Sequence, residues 1–310
     1  PIYCAFGVIA AFGVGNATQI NAVVGAVNGL LSAFGGQESF WGNLAVGLVL
    51  ASAVGLVLFG GAKRIGAAAE RMVPAASVGY VMLCVLVIFR CRERLPEAVR
   101  AIFVGAFRPR AVTGGCLGAA FGSLRTGCAR GIFTNEAGMG TASMAYAGAE
   151  TGSPVELGML GLVEVFADTL VICTLTALAV LTSGVAIPYG RDCGAELSTM
   201  VFSRVCGDWA AVCLAAFLAI FAFATVLGWG LYGARCGQFL FGPGFWKRFV
   251  WMQMAGVLLG AVTRAGTLWL LAEVINGCMA FPNLAALLAL SPELRRLVTE
   301  YKKESKKERA

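Results

Sequence analysis

The length of the apolar runs constrains this chain most. No charged residue interrupts 42–62 or 209–233, and an α-helix needs only about 20 apolar residues to cross a hydrocarbon core of about 30 Å. Hydropathy predicts eight such helices, at about 1–33, 42–62, 75–91, 112–148, 156–183, 208–233, 248–264 and 267–290. The class that follows is an all-α, polytopic helical membrane protein with the lipid bilayer as its main solvent. Only 13% of the residues are charged, about half of what a soluble domain carries. The 41 glycines favour a tightly packed bundle, because small residues let membrane helices approach closely and mark places where they break.

The formal charge of +7 is not a nucleic-acid signal. Its basic residues lie between apolar blocks and in the tail from Arg295 to Arg309, a topology pattern that puts Lys63, Arg64, Arg71, Arg235, Lys247, Arg248 and the C-terminus on the cytoplasmic side. One connector runs against this. Arg90, Arg92, Arg94, Arg100, Arg108 and Arg110 fall on the expected outer side, where a re-entrant stretch from Leu95 to Phe107 would hold some of them among headgroups. Eleven cysteines occur singly and there is no histidine, so metal-site and disulfide-framework readings are weak. An enzyme using carboxylates alone as acid and base is the weakest functional reading.

The informative segment is Asn135-Glu136-Ala137-Gly138-Met139-Gly140. An Asn-Glu pair at membrane depth is costly unless it faces protein, an ion or water, and the glycines after it let the backbone leave helical geometry. Discontinuous helices of this kind place half-helix ends and free carbonyls at binding sites of carriers. The bland alternative is that Arg130 and Glu136 pair and only hold two helices together. Glu164 and Asp168 are four residues apart, on one face of a regular helix, and read as structural or gating in preference to a proton relay. Thr225 and Trp229 share a face of the sixth span, where the hydroxyl suits a cation and the indole closes a small pocket. Gln19, in the polar run Asn16 to Asn21, offers a donor and an acceptor to an amino acid.

These residues carry a resemblance. Arg130-Gly131-Ile132-Phe133-Thr134-Asn135-Glu136-Ala137-Gly138-Met139-Gly140-Thr141-Ala142 is similar to the signature Arg-Gly-x-Phe-Ser-Asn-Glu-Ala-Gly-x-Gly-Ser-Ala of the alanine or glycine:cation symporters, the sodium:alanine symporter family. Supporting stretches include Phe12 to Asn16 with Gln19, Gly60 to Ile65, Asp168-Thr169, Leu227-Gly228-Trp229 and Asn276-Gly277. The resemblance implies a LeuT-type fold of two inverted five-helix repeats, with the eight spans as core helices three to ten. Residues 1–290 then form one transporter domain, 1–110 belonging to the first repeat and 111–290 to the second, followed by a basic cytoplasmic tail at 291–310. Pro1 in place of methionine, and the absence of core helices one and two, lead to the expectation that the chain begins inside a longer protein.

The resemblance also implies sodium-coupled symport of a small neutral amino acid, alanine or glycine, across the cell membrane, with no cofactor beyond the coupling ion, sodium or alternatively a proton. Gln19, Phe133, Asn135, Met139, Thr225 and Trp229 would contact the substrate, with Thr225 also a sodium ligand. Arg130, Glu136, Gly138, Gly140, Glu164 and Asp168 would be structural or gating. The family's paired threonines on core helix eight are Ala224 and Thr225 here, which removes one ion ligand, and its Asp-x-x-Asn-Gly is Glu273 to Gly277. The competing reading is a non-transporting membrane fragment that needs the missing helices from elsewhere.

Overall fold

A computed structural model describes residues 1–33, 35–107, 117–149, 153–187, 194–263 and 265–308. Every regular element among them is helical. The first long rod is α1 (Ile2–Phe12), a π-helical turn (Gly13–Ala17) and α2 (Thr18–Ala33) in unbroken succession. It is followed by α3 (Phe40–Leu58), α4 (Gly61–Arg90), a short 3₁₀ turn (Arg92–Arg94) and α5 (Leu95–Phe107). Next come α6 (Leu117–Thr134), the short α7 (Thr141–Tyr146), α8 (Pro154–Val165), a π-helical stretch (Phe166–Cys173) and α9 (Thr174–Ser183). The chain ends with α10 (Gly194–Cys206), α11 (Asp208–Phe241), α12 (Phe245–Val262) and α13 (Ala265–Glu308).

Local chemistry explains several boundaries. The Ser39 hydroxyl accepts a hydrogen bond from the Gly42 amide at 3.0 Å and opens α3. Ser153 does the same for Val155 at 3.2 Å, ahead of Pro154 in the first turn of α8, where a missing N–H costs nothing. Gly184, at φ +68°, ends α9. Two helices run further than the sequence predicts: α4 continues through Pro74 back to Gly61, and α13 through Pro282 and Pro292 to Glu308, so 291–308 is helical. Proline is tolerated in such helices because neighbouring groups satisfy the backbone it frees.

Six helical stretches among the described residues are long and apolar enough to cross a membrane: Ile2–Ser32, Phe40–Leu58, Gly61–Arg90, Pro154–Ser183, Asp208–Phe241 and Val274–Glu304. The eight expected from hydropathy included two more, which are helical but more polar. Helix α6 carries Arg125 and Arg130, while α12 carries Lys247, Arg248 and Gln253. Much of α12 faces other helices, not the outside of the bundle, with Phe249, Val250, Gln253, Gly256 and Val257 buried. Large apolar side chains point outward elsewhere, Phe281 being 78% exposed and Trp41 75%, which suits a hydrocarbon surrounding and not water.

Helix α11 is the hub, packing against α1, α2, α3, α4, α10 and α12. One core joins Ile20, Val54, Leu58, Leu227 and Val257 from α2, α3, α11 and α12. A second joins Tyr80, Val87, Phe202 and Leu214 from α4, α10 and α11, with Ala179 of α9. The third, of Ala10, Met139, Trp229, Phe249 and Met279, lies beside the broken helix.

The basic connector after α4 has a local explanation. Arg90 donates to the Val205 carbonyl at 2.9 Å, near the end of α10, and Arg94 to the Ser183 carbonyl at 3.3 Å, at the end of α9. Cations at helix C-termini meet unpaired carbonyls and the negative end of the dipole, so these two arginines are held by protein. Helix α5, at the expected re-entrant stretch, packs on α9; Arg108 and Arg110 lie outside the described residues.

Phe202 has no exposed surface and its ring lies 6.3 Å from that of Tyr80. Truncating a buried phenylalanine costs about 3–5 kcal/mol. Phe202→Ala is therefore expected to lower the thermal midpoint in detergent, followed by reaction of a thiol dye with the buried Cys84 and Cys206; an unchanged midpoint would refute this assignment of the second core.

Candidate functional site

The helix break lies where the sequence predicts one. Helix α6 stops at Thr134 and α7 starts at Thr141. Between them Glu136, Gly138 and Gly140 all take left-handed backbone, with φ of +49°, +73° and +79°. The Glu136 amide donates to the Phe133 carbonyl at 3.3 Å and the Ala137 amide to the Ile132 carbonyl at 3.0 Å. That crossed pair is a Schellman cap, whose left-handed position is usually glycine. Glu136 there costs about 1–2 kcal/mol of backbone strain.

Two side chains clamp the break from opposite sides. Asn283 on α13 donates to the Gly138 carbonyl at 2.8 Å. On the other side, Thr169 in the second π-helical stretch donates to Asn135 Oδ1 at 2.8 Å, while Asn135 Nδ2 donates back to the Gly131 carbonyl at 3.0 Å. Gly140 leaves no room for a side chain, since a Cβ would stand 2.5 Å from Asn283 Oδ1.

Beside the break is a cavity of about 260 Å³ lined by Gln19, Phe133, Thr134, Glu136, Thr225, Trp229 and Asn276. The residues come from α2, α6, the break, α11 and α13, so no contiguous stretch of chain could form it. Trp229 is buried and packs edge-on to Tyr232 at 5.8 Å. It lies against Gly15 in the first π-helical turn, where a Cβ would stand 1.8 Å from the indole. The Glu136 carboxylate lies beside the Thr141 hydroxyl and the Trp229 indole. Asn276 Oδ1 is buried and has no hydrogen-bond partner among the described residues.

Four of the six residues expected to contact a substrate, Gln19, Phe133, Thr225 and Trp229, line this one cavity. The structure places Asn135 and Met139 otherwise: Asn135 is turned to Thr169, and Met139 is fully buried in the third core. The Thr225 hydroxyl donates to the Phe221 carbonyl at 2.9 Å, which leaves its oxygen lone pairs free to accept. Arg130 is exposed on α6, and Glu136 lines the cavity.

Glu164 and Asp168 also lie away from the cavity lining. The helix widens to π geometry at Phe166, between the two carboxylates. Glu164 is exposed and accepts a hydrogen bond from the Tyr146 hydroxyl, while Asp168 is half-buried. Among the described residues no group of three or more histidine, cysteine or carboxylate side chains could hold a metal ion.

Sequence reasoning missed a polar link behind the cavity. Asn16 Nδ2 donates to the Gln253 carbonyl at 2.7 Å, and Gln253 Nε2 donates to the Val226 carbonyl at 3.3 Å. Both side chains are fully buried. They tie the first π-helical turn, α12 and α11 together next to Thr225. The signal was present: Gln253 is a lone amide within the apolar run Val250 to Met254.

Known proteins resemble this chain in sequence along nearly its whole length. The family model described as sodium:alanine symporter family matches residues 1–310. The chain belongs to that family. Within it, the chain is 36% identical over 291 residues to the sodium/alanine symporter AgcS of Methanococcus maripaludis, a match covering 92% of this chain and 61% of the relative. It is 34% identical over 311 residues to an uncharacterized transporter of Haemophilus influenzae, covering 98% and 64%, and 36% identical over 275 residues to the probable sodium/glutamine symporter GlnT of Bacillus subtilis, covering 87% and 56%. The chain thus spans about three fifths of the length of these relatives. Sodium:alanine symporter family members are transporters and not enzymes, and with six helices apolar enough to span a bilayer this one is a multi-pass membrane protein.

The close fit of Trp229 on Gly15 makes a sharp expectation. Gly15→Ala must displace the indole, and overpacking of this kind costs about 1–3 kcal/mol. Its tryptophan emission should shift to the red relative to the parent, and the shift should vanish in a Trp229→Phe background. Identical spectra for the parent and Gly15→Ala would refute the contact.

Proposed function

We propose that the chain performs sodium-coupled symport of a small neutral amino acid, alanine or glycine, by alternating access. The observation that carries this reading is the cavity at the helix break, where amide, hydroxyl and carboxylate groups converge against an aromatic wall. Its volume of about 260 Å³ falls below the roughly 300–1,000 Å³ of pockets for drug-sized ligands. Gln19 would serve the polar ends of an amino acid, Thr225 a sodium ion, and Phe133 with Trp229 would limit the side chain. The names of the relatives support the ion and the substrate class, since they read sodium/alanine and sodium/glutamine.

On this reading the helices belong to a LeuT-type pair of inverted repeats, 1–110 contributing to the first and 111–290 forming the second. All eight predicted spans, α12 and the broken α6–α7 among them, would be core helices three to ten. The polar α12 and α6 are then acceptable in a membrane because protein and a solvated site surround them, not lipid. On the same reading the protein lies in the cell membrane, and the charge bias supports a cytoplasmic position for the basic end of α13.

Uptake of radiolabelled alanine into proteoliposomes is expected to require an inward sodium gradient and to resist competition by leucine or phenylalanine. Trp229→Ala should admit leucine as a competitor at concentrations at least tenfold lower than in the parent, the scale on which hydrophobic pockets sort side chains. Uptake that ignores sodium, or that carries phenylalanine as well as alanine, would overturn the reading.

A further inference from the structure

Glu136 is the group in the cavity that binding a zwitterion does not by itself explain. It occupies left-handed backbone at φ +49°, a conformation that glycine accepts without steric cost. Glycine does stand at the two alternate positions that follow, Gly138 and Gly140. Strained residues persist where the surroundings and function hold them. Among the described residues lining the cavity, Glu136 bears the only formal charge.

Two independent features act in the same direction. Helix α6 ends at Thr134, and Phe133 and Thr134 both line the cavity, so the negative end of its dipole lies there. Asn276 presents a buried Oδ1 without a hydrogen-bond partner among the described residues. A carboxylate, an unpartnered amide oxygen and a helix C-terminus together make a negative pocket of oxygen ligands, which suits a hard cation.

We propose that Glu136 supplies the fixed negative charge that binds the coupling cation, with Asn276 Oδ1 as a second ligand. A cargo of one monovalent cation and one zwitterion then leaves the loaded cavity neutral. Charge at membrane depth is costly unless compensated, so the occluded state favours the cavity holding both passengers. This rests on the cavity being the symport site. It adds a residue and a charge balance to that reading.

The test is binding of ²²Na⁺ to the purified chain in detergent, beside sodium-dependent binding of alanine. Glu136→Gln is expected to raise the half-saturating sodium concentration at least tenfold, and Glu136→Asp to recover part of the loss. Glu136→Gly relieves the backbone and removes the charge, so it should lose sodium affinity as Glu136→Gln does while keeping the parent's thermal midpoint or raising it. Sodium-dependent alanine binding in the parent with half-saturation within twofold in Glu136→Gln would overturn the assignment and leave the symport reading standing. Alanine binding in the parent that ignores sodium would overturn both.

Discussion

A helix that stops inside an apolar bundle leaves backbone groups that water cannot reach, and this chain is arranged around satisfying one such stop. At the end of α6 the amides of Glu136 and Ala137 turn back onto Phe133 and Ile132, while the Gly138 carbonyl is taken by Asn283 from α13. Asn135 completes the closure by capping Gly131 and receiving Thr169. Each bond contributes only about 1 kcal/mol net, yet leaving such a group buried and unpaired costs about 1–3 kcal/mol. The break is therefore a defined structure. It fixes where Glu136, Phe133 and Thr134 meet the cavity.

The opposite wall is held differently. Helix α11 lies close to α1 because Gly233 sits between Ala11 and Phe249 without a side chain of its own. The Trp229 indole fills the space left at Gly15, one turn of α11 before Gly233. Asn16 and Gln253 then lock the first π-helical turn, α12 and α11 through backbone carbonyls. Asn21 adds bonds to the Gly260 and Thr263 carbonyls, at 3.3 and 2.5 Å, further along α12. Membrane helices gain little from apolar burial against each other, so close approach and interhelical hydrogen bonds decide their packing.

How far these features were legible in the sequence depends on their range. The break was legible because Asn-Glu followed by two glycines is incompatible with a lipid-facing helix, and its bounds match α6 and α7 closely. The helical class and most spans follow from apolar runs, which the bilayer reads by length alone. Asn135 was expected at the substrate because the family resemblance carries it over, but its amide is engaged by Thr169 and the Gly131 carbonyl. Which way Asn135 turns depends on an element more than thirty residues away. Likewise the π-helical stretch from Phe166 to Cys173 was not foreseen, because a widened helix has no strong signature in residue type. Pro74 and Pro292 fall just outside the expected spans 75–91 and 267–290, yet α4 and α13 run through them, because neighbours in a packed bundle override the local tendency of proline to break a helix.

The two walls of the cavity also differ in how they could yield. Parting α11 from the rod of α1 and α2 would separate the indole of Trp229 from Gly15 and expose the amides of Asn16 and Gln253, all in the tightest part of the packing. The wall made by the break is attached through side-chain bonds with Asn283 and Thr169, and through Met139, which is fully buried in the third core. Either wall therefore yields against packing as well as hydrogen bonds, and at the break that packing rests on Met139. Glu136, strained and at that joint, is placed where a bound cation would change the balance.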